Sequence, residues 1–543
     1  MHQWNYGDML EVIEPRLAPD SLAYAHGERV ITWSEAARRS NNVARALLTR
    51  GAQAGDKVAF YMRNRPEYCE TLAASVKARL VHVNVNYRYT AEEVFYIFDN
   101  SDATVVVYGA EFRGHVEAIK DRLPLVRTFV EIGDEAPPAF AEGFEALAAE
   151  GDGSPLRLSR SGDDQFFIYT GGTTGMPKGV MWTHHNIREV GQMALRKLGP
   201  VPETLEAYAD ATAAMPAGAA VIGPPLMHGT GLLTAIGAML SGGAVVTLPS
   251  VNFQPAEMLD AAHRWRASTL TIVGDPFGRP LLEALDADPG RWDLSAVQRV
   301  NSSGVMWSVE VKRGLLRHMP QAVLADAFSS SEALGMGTSL MTAAGEMQTA
   351  KFALGDRARV FADDGREVQP GSGIAGLLHL GEPNPLGYYK DPEKTARTFK
   401  EHAGQRWSVP GDYCLVEADG ALTLLGRGSA CINTAGEKVF PEEVEEALKT
   451  HSSVEDVLVV GLPDSRWGQS VTAVVRLRPG AELDEQALQA HCRRTLAGYK
   501  TPKRIVAGEV NLRAPNGKAD YKVASQFASS ALERPERLQS ISA

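Results

Sequence analysis

The chain has 543 residues, more than one hydrophobic core can organise, so at least two domains are expected. Hydrophobic residues make up 44% of the sequence and charged residues 22%, proportions that are ordinary for globular proteins and exclude a collagen-like or low-complexity architecture. The formal net charge of −11 argues against general nucleic-acid binding, so a nucleotide would have to bind through small local clusters of cationic groups.

Helix and strand signals alternate through the first part of the chain. The sequence Thr32-Trp-Ser-Glu35 is a capping-box pattern that opens a predicted helix, which reaches Leu48 and stops at Gly51. Further helices and short apolar strands are predicted at Pro66–Ala78, Ala91–Asn100, Val58–Tyr61, Val81–Val85 and Thr104–Tyr108. This alternation predicts a layered α/β architecture with parallel strands.

Strand-like runs continue along the chain and are followed by a smaller unit that begins near Gly426. The runs lie at Gln165–Tyr169, Ala244–Leu248, Thr269–Val273, Gln298–Val300, Gly376–Leu380 and Ala421–Leu425. The smaller unit is predicted to be α+β, with elements at Pro441, Val454–Val460, Val471–Leu477 and Leu483–Leu496. We expect the polar residues from about Ser529 onward to fray.

The cysteines and the apolar runs indicate the compartment. The four cysteines are widely and irregularly spaced, which predicts neither a disulfide framework nor a zinc site and fits a reducing cytoplasm. The first residues lack the basic and apolar regions of a secretory signal. Apolar runs such as Leu232–Leu240 are too short to span a bilayer, so we expect a cytoplasmic protein without a transmembrane segment.

The strongest local signal is the segment Tyr169–Gly179, with the sequence YTGGTTGMPKG. It follows a predicted strand, its glycines let the backbone approach a phosphate closely, and its threonines and Lys178 add donors and a positive charge. It is not a Walker A loop, because methionine rather than lysine follows Gly175. A flexible glycine-rich turn is the alternative, but the density of Gly, Thr and Lys after a strand favours phosphate binding.

Four further segments are weak when each is taken alone. Asp326–Glu332 combines an aromatic ring, hydroxyls and a carboxylate, which can stack on a base, bind a nucleotide and hold Mg²⁺, but a solvated loop would look the same. Gly411-Asp412 offers a carboxylate for two ribose hydroxyls, and is otherwise only a turn. The others are Gly426-Arg427 and Asn516-Gly-Lys518, and a single surface lysine is usually solvated.

Two common enzyme signatures gain little support. Gly371–Gly376 matches G-x-G-x-x-G, but Pro370 precedes it and the strand-like run Leu377–Leu380 follows it, so we interpret it as a turn rather than a dinucleotide site. A G-x-S-x-G nucleophile elbow is absent from the sequence. Oxidoreductase and hydrolase functions are therefore disfavoured.

In their order and approximate spacing, these segments resemble the adenylate-forming enzyme superfamily of acyl-CoA synthetases, peptide-synthetase adenylation domains and luciferases, from about Thr32 to Tyr521. The resemblance implies a large N-terminal adenylation domain of layered sheets and helices, residues 1–426, and a small mobile α+β domain, residues 427–543. It also implies an enzyme that uses ATP and Mg²⁺ to convert a carboxylic acid to acyl-AMP and pyrophosphate. The acyl group then passes to coenzyme A with release of AMP.

The resemblance assigns roles in the ATP site. Residues expected to hold the phosphates and the adenine are Thr170, Gly171, Gly172, Thr173, Thr174, Gly175, Lys178, Ser303, Gly304, Phe328, Ser329, Ser330 and Ser331. Thr170 and Glu332 would place Mg²⁺, and Asp412 and Arg427 would bind the ribose hydroxyls. Lys518 would bridge the carboxylate of the acid and the α-phosphate, where it and Mg²⁺ offset the repulsion between two anions.

The resemblance also implies an acyl pocket and a site for coenzyme A. The expected pocket residues are Met227, His228, Gly229, Gly304 and Val305, with Asp275 and Phe277 nearby. His228 would lie beside the acyl carbonyl, although a buried structural histidine is the plainer interpretation. The small domain would swing about a hinge at Ser429, so that a loop with Gly436, Glu437 and Lys438 closes on coenzyme A.

A narrower resemblance points to bacterial long-chain and steroid side-chain acyl-CoA ligases of lipid catabolism. It rests on the run Gly426–Glu445, on Asn84-Val-Asn-Tyr-Arg-Tyr and on Trp182. The hinge serine, where the superfamily usually has Asp or Lys, and Ala435 in place of a loop glycine bear on the transfer to coenzyme A. An aromatic or short-chain acid, a carrier protein as acceptor, a non-catalytic acyl-nucleotide sensor and a homodimer all stay open.

Overall fold

The computed structural model describes residues 4–170, 176–197, 199–305, 307–345, 351–402, 404–427, 432–434, 437–464, 468–494, 496, 498–514 and 519–533. The chain divides into two compact units, Met1–Thr349 with Gly381–Ser408 and Ala350–Leu380 with Val409–Ala543. The boundary that we place after residue 426 stays a prediction, because the second unit takes in chain on both sides of it.

The helices follow the apolar periodicity and the capping residues of the sequence. They are α1 (Tyr6–Ile13), α2 (Trp33–Thr49), α3 (Pro66–Lys77), α4 (Ala91–Asn100), α5 (Arg113–Ile119), α6 (Phe144–Ala149), α7 (His184–Arg196), α8 (Leu205–Ala214), α9 (Gly229–Leu240), α10 (Pro255–Arg264), α11 (Gly274–Ala287), α12 (Val309–His318), α13 (Pro392–Thr398), α14 (Pro441–Lys449), α15 (Glu485–Cys492) and α16 (Tyr521–Glu533). The side chain of Thr32 caps α2 by accepting a hydrogen bond from the backbone N–H of Glu35, as the sequence pattern predicts.

The strands of the first unit are β1 (Leu22–His26), β2 (Arg29–Thr32), β3 (Lys57–Tyr61), β4 (Val81–Asn84), β5 (Ala103–Gly109), β6 (Thr128–Ile132), β7 (Glu142–Gly143), β8 (Gln165–Thr170), β9 (Lys178–Thr183), β10 (Ala219–Ile222), β11 (Ala244–Thr247), β12 (Thr269–Ile272), β13 (Arg299–Ser303), β14 (Val323–Ser330), β15 (Ala333–Met341), β19 (Gly387–Tyr388), β20 (Phe399–His402) and β21 (Gln405–Ser408). The second unit has β16 (Lys351–Leu354), β17 (Ala358–Phe361), β18 (Gly376–Gly381), β22 (Asp412–Val416), β23 (Ala421–Arg427), β24 (Ile432–Thr434), β25 (Glu437–Val439), β26 (Val454–Asp464), β27 (Gly468–Leu477) and β28 (Arg504–Ala507).

Parallel strands form the framework of the first unit, as the alternation of elements predicts. One sheet has the order β4-β3-β5-β6-β7 and is parallel throughout. A second runs β2-β1-β11-β10-β12-β13-β14-β15, with parallel pairing from β1 to β14. The carboxyl ends of β10, β12 and β13 therefore meet at one edge, the usual place for a ligand in an α/β sheet.

A small antiparallel sheet of the first unit carries the predicted phosphate loop. Its order is β19-β9-β8, so β8 and β9 form a hairpin and β19 lies on the far side of β9. Large buried side chains hold the sheet against its surroundings, among them Trp182, Phe166 and Phe167. The framework of the hairpin is therefore rigid, because its interior side chains are close-packed.

The second unit contains two antiparallel-rich sheets. Within one, β23 pairs with β16 and β22, and β18 pairs with β17 and β22. The other has the order β25-β24-β27-β26, with β28 parallel to β27, and α14, α15 and α16 contribute to its apolar clusters. The prediction of an α+β unit is confirmed for the part of the chain that the structure describes.

Several element predictions need correction. The helix predicted at Leu483–Leu496 is shorter, Glu485–Cys492. Fraying from Ser529 is wrong as far as Glu533, because α16 continues to that residue. The interpretation of Gly371–Gly376 as a turn is confirmed at Gly371 and Gly373, whose φ angles of +74° and +68° lie in a region that glycine adopts without strain, whereas Gly376 already begins β18.

The helices of the described ranges are those of a protein with buried apolar faces, not of a bilayer span. No helix there combines the length and the apolar character needed to cross a bilayer. The run Leu232–Leu240 forms most of α9, whose buried face includes Leu232, Ala235 and Ile236.

Candidate active site

The β8–β9 hairpin places two predicted phosphate ligands opposite each other. Thr170 ends β8, Lys178 begins β9, and the two residues are partners in the antiparallel register. The loop between them contains Gly171, Gly172, Thr173, Thr174 and Gly175, which lie outside the described residues. A hydroxyl and an ammonium group therefore flank the base of the predicted loop.

Lys178 forms an ion pair with Asp391, a residue that the sequence analysis missed. Asp391 caps α13, where its carboxylate accepts a hydrogen bond of 2.9 Å from the backbone N–H of Lys394. The hydrogen bond from Lys178 lowers the pKa of Asp391 below its ordinary value, so this carboxylate stays charged near neutral pH. The signal in the sequence was the Asp-Pro dipeptide, which is typical of a helix N-terminus.

Glu332 lies in the tight turn between β14 and β15, and two groups hold it there. Its Oε1 accepts a hydrogen bond of 2.8 Å from the hydroxyl of Tyr388. Its backbone carbonyl accepts a bond of 2.6 Å from Ser408 Oγ. The carboxylate is thus oriented by a phenol from β19, the strand next to Lys178, and Tyr388 is a second residue that the sequence analysis missed.

A second lysine adds to the charge of this region. Lys394 Nζ lies 4.3 Å from the centroid of the Tyr388 ring. Burial lowers the pKa of Lys394; the nearby carboxylate of Glu332 opposes that shift, and the charge of Lys178 adds to it. Two lysines, Glu332 and Asp391 therefore share one neighbourhood, which suits a polyanion accompanied by a cation.

The predicted adenine segments lie at the ends of neighbouring parallel strands. Ser303, at the end of β13, is the register partner of Ala327 in β14, so Ser303 and Gly304 lie next to Phe328. The Phe328 side chain is buried. Ser329 Oγ accepts a hydrogen bond of 3.0 Å from the N–H of Gly335, which fixes the strand end.

The turn that follows Phe328 is also tied to the hairpin. The backbone carbonyl of Ser331 accepts a hydrogen bond of 2.9 Å from Trp182 Nε1, and Trp182 is fully buried in β9. Ser330 ends β14, where Ala333 is its register partner. The predicted adenine segment and the predicted phosphate hairpin therefore belong to one connected framework in the first unit.

The predicted acyl segment lies between β10 and α9. Met227 is buried, its sulfur accepts a hydrogen bond of 3.3 Å from the N–H of Tyr87, and its carbonyl accepts one of 2.7 Å from Asn84. His228 is the N-cap position of α9, and Gly229 is the first residue of that helix. Asn84 is the third residue whose contacts the sequence analysis missed.

Val305 follows β13, whose carboxyl end lies at the same edge of its sheet as the carboxyl end of β10. Gly304 has a φ angle of +91°, which turns the chain after β13 into a conformation that favours glycine. The carboxylate of Asp275 accepts hydrogen bonds of 2.9 and 3.1 Å from the N–H and hydroxyl of Ser308, so it serves to fix the start of α12. The ring of Phe277 is buried and packs against Phe253 with centroids 4.4 Å apart.

The second unit carries the predicted ribose ligands. Asp412 and Arg427 are register partners in β22 and β23, and Asp412 is buried. Ser429, Gly436 and Lys518 lie outside the described residues, as do the side chains of Arg427, Glu437 and Lys438. The backbone of Glu437 and Lys438 forms β25, which pairs with β24.

Two family models match the chain. The model described as "AMP-binding enzyme" covers residues 14–389, and the model described as "AMP-binding enzyme C-terminal domain" covers residues 443–518. The two matches together include the phosphate hairpin, Glu332 and Lys518.

Curated relatives resemble the chain over nearly its whole length. A protein of Mycolicibacterium smegmatis named medium/long-chain-fatty-acid–CoA/3-oxocholest-4-en-26-oate–CoA ligase is 38% identical, with 95% of each chain covered. A 3-oxocholest-4-en-26-oate–CoA ligase of Rhodococcus rhodochrous is 38% identical, with 93% of each chain covered. Among solved structures, ATP-bound MatB from Rhodopseudomonas palustris has a TM-score of 0.80 at 24% identity, covering 96% of this chain and 99% of that one.

Proposed function

This chain belongs to the family of AMP-binding enzymes and is an AMP-forming acyl-CoA ligase, and on that premise we propose that its substrate is a medium- or long-chain fatty acid or a steroid side-chain acid. The reaction uses ATP with Mg²⁺ to form acyl-AMP and pyrophosphate, and coenzyme A then takes the acyl group and AMP leaves. The proposal for the acid is supported by the names of the relatives that are 38% identical to this chain.

One observation carries the proposal for the phosphate site. Thr170 and Lys178 face each other at the base of the loop, while the Lys178 neighbourhood includes Lys394 and the oriented carboxylate of Glu332. We propose that the ATP phosphates bind against the loop and Lys178. Asp391 would then lose its ion pair with Lys178 and keep its hydrogen bond from the backbone N–H of Lys394.

The residues present fit a magnesium ion. The Thr170 hydroxyl and the Glu332 carboxylate are hard oxygen ligands, and Mg²⁺ in ATP sites is usually held by one or two such groups plus the phosphates. We propose that these two residues hold the ion. When bound, it would offset the negative charge of the triphosphate.

The first half-reaction joins two anions, and the chain's own cations make that possible. A carboxylate oxygen of the acid attacks the α-phosphorus of ATP, the bond to the bridging oxygen breaks, and pyrophosphate leaves. We propose that Lys518 bridges the carboxylate and the α-phosphate, and that Lys178 stabilises the departing phosphates. Fixed charges of this kind cost no reorganisation when the reaction occurs.

The second half-reaction takes place at the carbonyl carbon of the acyl-AMP formed in the first. The sulfur of coenzyme A attacks that carbonyl, the thiol proton leaves, and the bond to AMP breaks. We propose that His228 lies beside the carbonyl, in a pocket formed with Met227, Gly229, Gly304 and Val305. The place of His228 in the fold supports this, because it lies between the carboxyl end of β10 and the start of α9, where ligands usually bind in an α/β sheet.

We propose that a moving part of the chain, residues 427–543, serves the two half-reactions in turn. It would carry Lys518 to the site for adenylation, and after rotation at Ser429 it would present Gly436, Glu437 and Lys438 to coenzyme A. Asp412 and Arg427, paired on neighbouring strands, would hold the ribose. We also propose a cytoplasmic enzyme, since Cys69 and Cys414 are buried thiols that form no disulfide, as expected in a reducing compartment.

A panel of acids tests the function. Short aliphatic, medium-chain, long-chain, aromatic and steroid side-chain acids are each incubated with enzyme, ATP and Mg²⁺, and AMP release is measured with and without coenzyme A. We expect coenzyme-A-dependent release with the medium-chain, long-chain or steroid acids to exceed that with the aromatic and short acids by at least about tenfold, as differences in buried apolar surface would produce. Preference for the aromatic or short acids would refute the proposed substrate. AMP release that is the same with and without coenzyme A would favour a carrier protein as the acceptor.

Replacing Tyr388 by phenylalanine tests how Glu332 is oriented. The change removes one hydrogen bond to a carboxylate, a contribution of ~1.5–3 kcal/mol. We therefore expect the Mg²⁺ concentration for half-maximal activity to rise by about tenfold to a hundredfold while the fold is unchanged, since each ~1.4 kcal/mol is a factor of ten. A titration of Mg²⁺ in the pyrophosphate-exchange assay measures this.

Tyr389 offers the matched control for that variant. Its hydroxyl donates a hydrogen bond of 2.7 Å to Asp102, away from Glu332, so Tyr389→Phe removes the same atom from a neighbouring residue. The Mg²⁺ dependence of Tyr389→Phe should equal that of the unmodified enzyme. Equal shifts in the two variants would mean that the loss of a tyrosine hydroxyl in this region, rather than the orientation of Glu332, is responsible.

A further inference from the structure

Asn84 makes three buried hydrogen bonds that join two parts of the candidate site. Its Nδ2 donates to the carbonyl of Tyr169 at 2.9 Å and to the carbonyl of Met227 at 2.7 Å, and its Oδ1 accepts from the N–H of Tyr169 at 2.7 Å. The residue is the last of β4 and is only 5% exposed. The partners fix the orientation of the amide, because the reverse orientation would set its oxygen against two carbonyls.

The two partners of Asn84 belong to different parts of the reaction. Tyr169 directly precedes Thr170 and the phosphate loop, whereas Met227 directly precedes His228 and the acyl pocket. β8 pairs with β9 on one side, and on its other side the Asn84 amide bonds the N–H and C=O of Tyr169. A shift of either backbone segment by a fraction of an ångström would therefore lengthen bonds on both sides of this amide.

We propose that Asn84 is a positioning residue that couples the ATP site to the acyl site. Because one side chain holds both backbones, a displacement of Tyr169 when ATP binds is transmitted to Met227, and a displacement of Met227 when the acid binds is transmitted to Tyr169. Such coupling between two sites is reciprocal, so each ligand must tighten the other by the same factor. The inference rests on the proposed function, which supplies the two ligands.

In the part of the chain that the structure describes, two nearby residues, His82 and Asn64, each hold one of these two segments. His82, two residues earlier in β4, has its Nδ1 3.0 Å from the carbonyl of Phe167 in β8. Asn64 donates to the carbonyl of Pro224 at 3.0 Å and accepts from the N–H of Leu226 at 2.7 Å. Asn64 is thus an amide that holds the acyl segment in the same manner as Asn84, and within the described part of the chain its side chain bonds Pro224 and Leu226 rather than the β8–β9 hairpin.

The comparison of Asn84 with Asn64 gives the experiment. The dissociation constant of α,β-methylene-ATP with Mg²⁺ is measured by calorimetry, in the absence and presence of the acid that the enzyme uses best. The ratio of the two constants is the coupling factor. We expect about tenfold for the unmodified enzyme, a typical size for coupling between two sites.

Asn84→Ala should reduce the coupling factor to near one, and Asn64→Ala should weaken binding of the acid but leave the factor in place. Asn84→Asp, which keeps the size but turns a donor into an acceptor, should lose the coupling as well and serves if the alanine variant does not fold. Thermal melts establish that each variant is folded. If Asn84 served only the stability of the fold, its variants would lower the melting temperature without changing the coupling factor.

The outcomes separate this inference from the proposed function. A coupling factor that survives in both Asn84 variants, that is lost equally in Asn64→Ala, or that is absent in the unmodified enzyme would overturn the role of Asn84. Failure of the proposed function would instead appear as an unmodified enzyme that releases no AMP with any acid in the presence of coenzyme A. Because the coupling is read from binding and the function from AMP release, the two failures can be told apart.

Discussion

Replacing Lys518 by alanine is expected to lower the rate of acid-dependent ATP–pyrophosphate exchange on the order of a thousandfold, while the protein stays folded. The lysine is the proposed bridge between the acid's carboxylate and the α-phosphate. Without it, two anions would have to approach each other with one fewer fixed positive charge. The described residues before and after Lys518 are joined by backbone hydrogen bonding: Arg513 pairs with Ala519, and the N–H of Asp520 donates to the carbonyl of Leu512. These contacts do not involve the lysine side chain, so its replacement should leave them in place.

The controls for Lys518→Ala distinguish the loss of a catalytic lysine from the loss of any nearby positive charge. Lys522 is exposed on α16, so Lys522→Ala removes one positive charge nearby and should leave the exchange rate unchanged. Lys518→Ala supplied with ready-made acyl-AMP should still transfer the acyl group to coenzyme A, because the proposed role of Lys518 ends with the adenylate. Exchange at the unmodified rate would refute the assignment, and loss of both half-reactions would indicate a structural role instead.

The elements around the site could largely be predicted from local patterns. The run Gln165–Tyr169 predicts β8, and the glycine- and threonine-rich segment that follows it predicts a phosphate loop at the end of that strand. β13 shows the limit of this reasoning, because the apolar run ends at Val300 but the strand continues through Ser303. Parallel neighbours β12 and β14 pair with Asn301 and Ser302 on both sides, so tertiary hydrogen bonding outweighs the low strand preference of polar residues.

The contacts that orient the site could not be predicted, for a physical reason. Asn84 bonds residues 85 and 143 positions away, and Tyr388 bonds a residue 56 positions away. Periodicity and capping patterns report interactions within a few residues, whereas these bonds exist only after the sheets have assembled. Asn84 was visible as part of a resemblance, but its role depends on where β4 ends relative to β8 and to the segment before α9.

Glu332 is the other residue whose replacement should have a large effect. Glu332→Gln removes the charge of the proposed Mg²⁺ ligand but keeps an oxygen that can accept the bond from Tyr388. We expect kcat/KM for ATP to fall by roughly a hundredfold to a thousandfold, the usual loss when one fixed electrostatic group is removed. Steady-state kinetics at several Mg²⁺ concentrations measure the loss, which excess Mg²⁺ should partly restore.

Glu393 supplies the matched control, because it lies on α13 near the same cluster and its ion pair with Arg397 is exposed. Glu393→Gln makes the same chemical change and should leave kcat/KM unaltered, since exposed ion pairs contribute little.

Combining Glu332→Gln with Tyr388→Phe completes the test. If Tyr388 acts only by orienting the Glu332 carboxylate, its loss should matter much less once the charge has been removed, so the double variant should resemble Glu332→Gln. Fully additive losses would mean that Tyr388 acts on the phosphates independently of Glu332. An undiminished kcat/KM in Glu332→Gln would remove this carboxylate from the magnesium site altogether.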